Sequence, residues 1–288
     1  MKTVPVPVGK IFCLSLSAFF FTQTEANTSN FPSTDLSVHS AFIDNYHSVS
    51  DRGKAMAPRS RAAVKATYHR FNTRKLSAAA ARRAETRMIT IQAIGLFDEM
   101  QLQDSGLSEK AFQYAYLGYR RLLKRKVLRK TDVLSICDFS QSSGSKRMYV
   151  IDVHNKKLLY HTYVAHGISS GREYANSFSN TPESYKSSLG FYVTRNTYFG
   201  RNGLSLRIDG VEKGFNNLAS ERNIVIHGAT YVSERILNKY GMMGTTFGCP
   251  AIPEEMTKAI IPVLKNGTCF FIYYPSKRYL SRSAIING

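Results

Sequence analysis

The chain contains the segment Ile224-Val225-Ile226-His227-Gly228-Ala229, and the cysteine of Gly248-Cys249-Pro250-Ala251 follows 22 residues after its histidine. A cysteine attacks only as its thiolate, and a free cysteine titrates at about 8.5. A histidine within hydrogen-bond reach supplies the missing base, so His227 and Cys249 together would suffice for acyl transfer through a thioester. The glycine before Cys249 lets backbone amides approach a reacting carbonyl group closely. The alternative interpretation is a buried cysteine and a core histidine at a strand end.

The length and the N-terminal residues limit the possible domain organisation of the chain. Its 288 residues allow one large domain, or one domain with a helical preface, and the 43% of hydrophobic residues suffice for a buried core. Residues 1–26 resemble an export signal. Lys2 and Lys10 provide positive charge before an apolar run over residues 11–21. Residues 24–26 then resemble a small-x-small cleavage site. The apolar run is too short for a comfortable membrane span, and an uncleaved anchor is the alternative.

The net charge points to an anionic partner. The formal charge is +19, and removal of residues 1–26 leaves 37 basic and 19 acidic residues, or +18. Such a charge favours nucleic acid, a membrane surface or an anionic cell-wall or outer-surface polymer. Export argues against nucleic acid, and the basic run over residues 120–126 lacks the interleaved Gly and aromatic residues of a nucleic-acid platform. We interpret that run as a solvated helix face.

Three cysteines remain after removal of the export signal, namely Cys137, Cys249 and Cys269. An odd number in an exported protein leaves at least one free thiol, and a nucleophile cannot be locked in a disulfide. Cys249 is therefore the candidate free thiol. Cys137 and Cys269 lie in apolar runs and are interpreted as buried thiols, with a disulfide between them as the alternative.

The composition changes twice along the chain. Residues 27–58 are rich in Ser, Asn, Asp and Pro without periodicity, which predicts a flexible linker. Residues 59–132 predict a helical hairpin, because the alanine run at 78–81 favours a helix and Asp104-Ser105-Gly106 separates it from a second one. Ser108 is the expected N-cap of that second helix.

From residue 133 onward the hydrophobic period approaches two, as in β-strands. Strand-like runs cover residues 133–139, 147–153, 157–165, 189–194, 204–208, 224–226 and 268–274. A Ser/Gly turn separates the first two and predicts a β-hairpin. Only residues 254–264 suggest a helix in this half. The fold prediction is mainly β, a curved antiparallel sandwich or barrel over residues 133–288, preceded by the helical hairpin.

Several motifs appear in a fixed order. The pair His227-Gly228 is followed by Thr246-Phe247-Gly248-Cys249, and the second motif continues as Gly-Cys-Pro-Ala-x-Pro to Pro253. Further matches lie upstream at residues 164–167, 178–180, 187–191 and 214–216. In these motifs residues 133–274 resemble the murein L,D-transpeptidase catalytic domain of YkuD type, in a divergent branch of that family. Most members carry His directly before Gly-Cys and Arg two residues after the Cys. This chain has Phe247 at the first of these positions and Ala251 at the second. Thr245 replaces the motif Arg of the divergent branch, so specificity is less well defined than chemistry.

The resemblance implies a role for each motif residue. Cys249 would be the nucleophile, and His227 the general base. The backbone carbonyl of Gly228 would fix the imidazole tautomer by accepting its second N–H. The backbone amides of Phe247, Gly248 and Cys249 would form an oxyanion hole. An ordinary turn glycine is the alternative for Gly248.

Three further residues are predicted to bind substrate, namely Tyr231, Thr246 and His166. Packing in the core is the alternative for Tyr231. The spacing of His154, His161 and His166 fits no standard zinc site, so neither a metal nor another cofactor is expected.

The resemblance implies an exported cysteine L,D-transpeptidase that acts on peptidoglycan stem peptides, in the periplasm or at the cell envelope, without a stable transmembrane span. The alternatives are an L,D-carboxypeptidase, a hydrolase that uses water as acceptor, and a non-catalytic wall-binding module. A sortase needs an Arg shortly after its nucleophile, whereas the first one here is Arg278. Papain-like enzymes place Cys before His, so the order in this chain excludes them.

Overall fold

A computed structural model describes residues 78–288. The predicted export signal over residues 1–26, the predicted linker over residues 27–58 and the start of the helical region over residues 59–77 lie outside the described residues. Within residues 78–288, no helix combines the length and apolar character needed to cross a membrane.

The described chain begins with two helices, α1 (Ala78–Glu99) and α2 (Glu109–Lys124). A 3-10 turn at Leu102–Ser105 separates them. The side chain of Ser108 caps α2 by accepting a hydrogen bond from the Ala111 amide at 3.3 Å. The helical hairpin and its cap agree with the sequence prediction.

Within residues 78–288, eight strands form one sheet. They are β1 (Val133–Asp138), β2 (Met148–Asp152), β3 (Lys157–Thr162), β4 (Gly190–Gly200), β5 (Gly203–Gly210), β6 (Val225–Ala229), β7 (Ala251–Pro253) and β8 (Cys269–Tyr273). Their order in the sheet is β3-β2-β1-β8-β4-β5-β6-β7. An isolated bridge between Ala165, just past β3, and Ala251 in β7 brings the two edges together. The sheet is therefore nearly closed, and the predicted curved β fold is confirmed.

Most neighbouring strands in this sheet are antiparallel, as expected. In the described residues, β1 pairs with β8 and β6 pairs with β7 in parallel. The three-residue strand β7 was not predicted from the sequence. The predicted helix over residues 254–264 begins with a 3-10 turn at Glu254–Met256 and continues as α4 (Thr257–Leu264), while α3 (Glu234–Tyr240) was also not predicted.

The helical hairpin and the sheet share one hydrophobic core. Gly118 of α2 faces the Phe191 ring so closely that a Cβ atom on Gly118 would lie 2.0 Å from the Cζ atom of Phe191. Phe191 in turn stacks on Phe271 of β8, with ring centroids 4.1 Å apart. The missing side chain at Gly118 thus sets how closely α2 can approach the sheet.

The chain ends in two short helices, α5 (Lys277–Arg282) and α6 (Ala284–Asn287). Buried Glu212 holds them to the sheet, because its carboxylate accepts hydrogen bonds from Tyr279 Oη at 2.7 Å and from the Ser283 hydroxyl. It also accepts the Phe191 amide at 2.9 Å. Burial raises the pKa of Glu212, and its hydrogen bonds oppose that rise.

Cys137 and Cys269 are fully buried free thiols, as interpreted from the sequence. They lie on the neighbouring strands β1 and β8, but out of register, because Cys137 is opposite Ile272 and Cys269 is opposite Leu134. Burial raises the pKa of both thiols, so they remain protonated.

Candidate active site

His227 lies in the middle of β6 and is 4% exposed. Its Nδ1 atom is 2.9 Å from the carbonyl oxygen of Gly228. A carbonyl oxygen only accepts hydrogen bonds, so Nδ1 carries the proton and Nε2 is left as the basic nitrogen. Burial lowers the pKa of His227, which keeps the imidazole neutral near pH 7.

Cys249 is placed by the parallel pairing of β6 and β7. His227 is opposite Ala251 in this register, so two residues earlier Cys249 is opposite Val225. The Val225 amide accordingly donates to Cys249 Sγ at 3.5 Å, and the thiol donates to the carbonyl of Asn223 at 3.7 Å. The thiol thus lies two strand positions from the imidazole, and among the described residues its hydrogen bonds go to this backbone and not to His227.

The turn before Cys249 is held by Thr246. Its hydroxyl accepts the Gly248 amide at 3.0 Å and donates to the Cys249 carbonyl at 2.8 Å. Gly248 has φ +125°, and a Cβ atom there would lie 2.9 Å from the Lys186 carbonyl oxygen. A side chain at this position would therefore be strained and would clash with backbone.

These bonds bear on two sequence-based assignments, the Gly248 amide and the Thr246 side chain, which both stay predictions. The Gly248 amide, assigned to the oxyanion hole, is occupied by Thr246. Thr246 is 7% exposed and its hydroxyl is used within the turn, so Thr246 supports the turn. Within residues 78–288, the amides of Phe247 and Cys249 have no hydrogen-bond partner. Both of these amides are available to an oxyanion.

The His166 side chain lies in the interior of the fold, and its assignment as a substrate contact stays a prediction. The side chain is fully buried, its Nδ1 atom accepts from Arg147 at 2.7 Å, and Nε2 donates to the Gly171 carbonyl at 3.1 Å. Burial, and then the charge of Arg147, lowers the pKa of His166 to about 4. The backbone of His166 still serves the site, because its carbonyl accepts the Thr246 amide at 2.9 Å.

Tyr231 follows β6 and is half-buried. Its ring packs against Gly244, whose amide donates to the Tyr231 carbonyl at 3.0 Å. Burial raises the pKa of the Tyr231 phenol, with a smaller contribution from Cys249. Tyr231 lies two residues past the end of β6. Its assignment to the substrate cleft remains a prediction.

Sequence reasoning missed two features beside the cysteine. Tyr185 and Phe247 are 47% and 73% exposed, and their rings meet with centroids 4.9 Å apart. They form an exposed aromatic rim next to Cys249. Arg222 lies just before β6 and donates to the carbonyl of Lys186 at 2.6 Å. The Tyr185–Phe247 contact and the Arg222–Lys186 bond each join residues that are far apart in sequence, so no local motif predicts them. One signal for the aromatic rim was present in the sequence, namely Phe247 at the position where most family members carry His.

The described residues contain no group of three or more His, Cys, Asp or Glu side chains placed to bind a metal ion.

Comparison with known proteins gives one family and several similar folds. Residues 103–273 match the family model of the L,D-transpeptidase catalytic domain. The curated proteins gave no match. One similar structure is an L,D-transpeptidase from Mycobacterium smegmatis, with 10% identity over 50% of this chain and 59% of that chain, at a TM-score of 0.31.

Two further structures are similar at comparable levels. An LD transpeptidase in complex with imipenem is 11% identical over 49% of this chain and 59% of that chain, at a TM-score of 0.30. An L,D-transpeptidase from Xylanimonas cellulosilytica is 13% identical over 54% of this chain and 68% of that chain, at a TM-score of 0.28. The chain therefore spans less than two thirds of the first two structures.

Proposed function

Because the chain belongs to the L,D-transpeptidase catalytic domain family, we propose that it is an exported cysteine L,D-transpeptidase. The family acts on peptidoglycan and is associated with the cell envelope. The proposed substrate is the peptidoglycan stem peptide, the nucleophile is Cys249 and the general base is His227. The observation that supports this assignment most directly is the bond from His227 Nδ1 to the Gly228 carbonyl, which leaves Nε2 free to take a proton.

In the first step the Cys249 sulfur attacks the carbonyl carbon of the diamino acid at stem position three. The thiol proton passes to His227 Nε2, which requires the thiol to leave the Asn223 carbonyl that it contacts in the free enzyme. Catalytic hydrogen bonds are often long or misaligned before substrate binds, so this geometry is compatible with the role.

The negative charge that develops on the substrate oxygen needs donors that are already in place. The amides of Phe247 and Cys249 fit this need, because they have no partner in the described structure. Loss of one such donor costs about 10² to 10³ in kcat in other acyl-transfer enzymes. The Gly248 amide would join them only if it broke its bond to Thr246.

Collapse of the tetrahedral intermediate breaks the bond to D-alanine, and the imidazolium of His227 returns its proton to the leaving amine. The product is a thioester between Cys249 and the stem peptide. In the second step an acceptor amine attacks the thioester and gives up a proton to His227. The new amide forms and the Cys249 thiol is restored.

The test is release of D-alanine from tetrapeptide-bearing muropeptides, with mass spectrometry of the products. We expect Cys249→Ala and Cys249→Ser to lose D-alanine release, since a serine hydroxyl is far less acidic than a thiol. The control is Cys137→Ala, which removes a buried thiol on β1 and should retain the activity. D-alanine release that survives in both Cys249 variants would contradict the proposed nucleophile.

The same products identify the acceptor. Cross-linked or amine-exchanged muropeptides support a transpeptidase, whereas tripeptide products alone support an L,D-carboxypeptidase. Binding to sacculi without any change in the wild-type muropeptides would support a wall-binding module instead.

A further inference from the structure

Arg222 lies three residues before β6 and is half-buried. Its guanidinium donates to the Ser179 carbonyl at 2.9 Å and to the Lys186 carbonyl at 2.6 Å. It also donates to the hydroxyls of Ser184, at 3.4 Å, and Ser188. Four bonds to one loop fix the position of the guanidinium.

All four of these acceptors are neutral. The ion pairs formed within residues 78–288 do not include Arg222, so no carboxylate of these residues lies within ion-pair distance of its guanidinium. The positive charge of a half-buried cation with neutral partners acts strongly on neighbouring groups, because solvent screens it less than it screens a surface charge. That field acts on whatever lies against the guanidinium.

The cysteine turn lies against it. A Cβ atom on Gly248 would be 3.2 Å from Arg222 Nη2, which places the guanidinium beside the residue that precedes Cys249. On the other side, the thiol of Cys249 contacts the carbonyl of Asn223, the residue after Arg222. The turn over residues 245–251 has no charged side chain of its own.

We propose that Arg222 is a positioning residue whose guanidinium stabilises the Cys249 thiolate. The inference rests on Cys249 as the nucleophile of the proposed function. Arg222 does not contact the reacting atoms through any of its hydrogen bonds. It acts by placing a fixed positive charge next to the turn that carries the sulfur.

The other ionisable groups around the thiol do not supply this charge. His227 is neutral near pH 7, and burial raises the pKa of the Tyr231 and Tyr192 phenols, so both stay protonated. Lys186 directs its ammonium to Ser177 Oγ at 2.8 Å. Burial raises the pKa of the Cys249 thiol, while the Val225 amide and Arg222 lower it. The direction of the Arg222 contribution agrees with the geometry.

The sharpest test neutralises Arg222 without removing it. Ser184→Asp places a carboxylate against the guanidinium on a surface loop, and Ser184→Asn is the uncharged control of nearly the same shape. The readout is the rate of Cys249 alkylation by iodoacetamide against pH, with the modified residue mapped by mass spectrometry. We expect Ser184→Asp to move the pH midpoint of the alkylation rate upward by at least about 0.5 pH units. Such a shift lowers the alkylation rate near pH 7 about threefold. Ser184→Asn should keep the wild-type midpoint.

A second pair of variants tests the arginine itself. Arg222→Gln should also raise the pH midpoint of Cys249 alkylation. Arg222→Lys keeps the charge, so its midpoint should lie close to that of the wild type. An unchanged midpoint in folded Ser184→Asp would overturn the proposal, even if Arg222→Gln proved too unstable to purify. Alkylation reports the thiolate without any turnover. A protein with the expected shifts but no D-alanine release would therefore contradict the proposed function and leave the role of Arg222 supported.

Discussion

At Cys249 and His227, burial opposes the charged form of both residues. It raises the pKa of the thiol and lowers the pKa of the imidazole, so the resting pair is a thiol and a neutral base. This combination suits general-base activation, because the imidazole is ready to accept the proton that the thiol must lose. The bond from His227 Nδ1 to Gly228 selects the tautomer that this role needs.

The pH dependence of the activity tests this assignment. The folded pKa of His227 lies below its ordinary value of about 6.5, so the wild-type acid limb of kcat/KM should lie below that pH. In His227→Ala the thiol must ionise unaided, at a pKa that burial has raised. The residual activity should then be about 10² to 10⁴-fold lower at pH 7 and should increase with pH.

The matched control is His154→Ala, because His154 is exposed and lies in the turn between β2 and β3. It should keep both the rate and the acid limb of the wild type, measured by D-alanine release between pH 5 and pH 10, a window set by the ordinary pKa values of His and Cys at about 6.5 and 8.5. A wild-type rate at pH 7 in His227→Ala would show that His227 is a core residue without a base function.

Local motifs predict His227 and Gly228 together because their hydrogen bond joins neighbouring residues, and they predict Cys249 from the glycine before it. Thr246 and His166 show the limit of this reasoning. The Thr246 hydroxyl is used by the two residues that follow Phe247, and His166 is buried against Arg147 of a different part of the chain. Burial and partner choice depend on the packed fold, which no single motif describes.

At the scale of elements, alternation of apolar residues suffices to predict the long strands, because each buries one face or both. The strand β7 was missed because three residues are too few to show a period. The parallel pairing of β6 with β7 was also not predicted, since it depends on a connection of more than 20 residues. Yet this pair positions Cys249 relative to His227, so the motifs name two candidate residues without giving the geometry that joins them.

The contact between α2 and the sheet gives a prediction at this scale. Gly118→Ala would place a methyl group 2.0 Å from the Phe191 ring in the position it now occupies. Overpacking of a core costs about 1 to 3 kcal/mol. We expect a loss of this size in the free energy of unfolding, measured by urea denaturation, despite the better helix propensity of alanine.

Gly95→Ala is the matched control on α1. No atom lies within 4 Å of a Cβ at Gly95, so the same substitution should stabilise the protein by about 0.5 to 1 kcal/mol through helix propensity alone. Equal effects of the two substitutions would mean that α2 can move away from Phe191 at little cost.

At the scale of the whole molecule, Lys and Arg outnumber Asp and Glu by 39 to 20. The formal charge of the chain is +19. On α1, Arg82, Arg83 and Arg87 are exposed, and together with Ala79 and Asn287 they line one cavity. An anionic wall polymer is the partner that such a surface would attract from solution, independently of the chemistry at Cys249.

Binding to isolated sacculi should therefore weaken as the salt concentration rises, because the Debye length falls from about 10 Å at 0.1 M to about 3 Å at 1 M. Replacing Arg82, Arg83 and Arg87 together by Gln should weaken binding at low salt and flatten its salt dependence, as measured by co-sedimentation. The same three positions changed to Lys keep the charge and should bind as the wild type does. Inactive Cys249→Ala protein serves as the background for all three, so that turnover does not alter the sacculi during the measurement. If protein with the three wild-type arginines binds sacculi equally well at all salt concentrations, recognition depends on specific contacts in the cleft and not on the net charge.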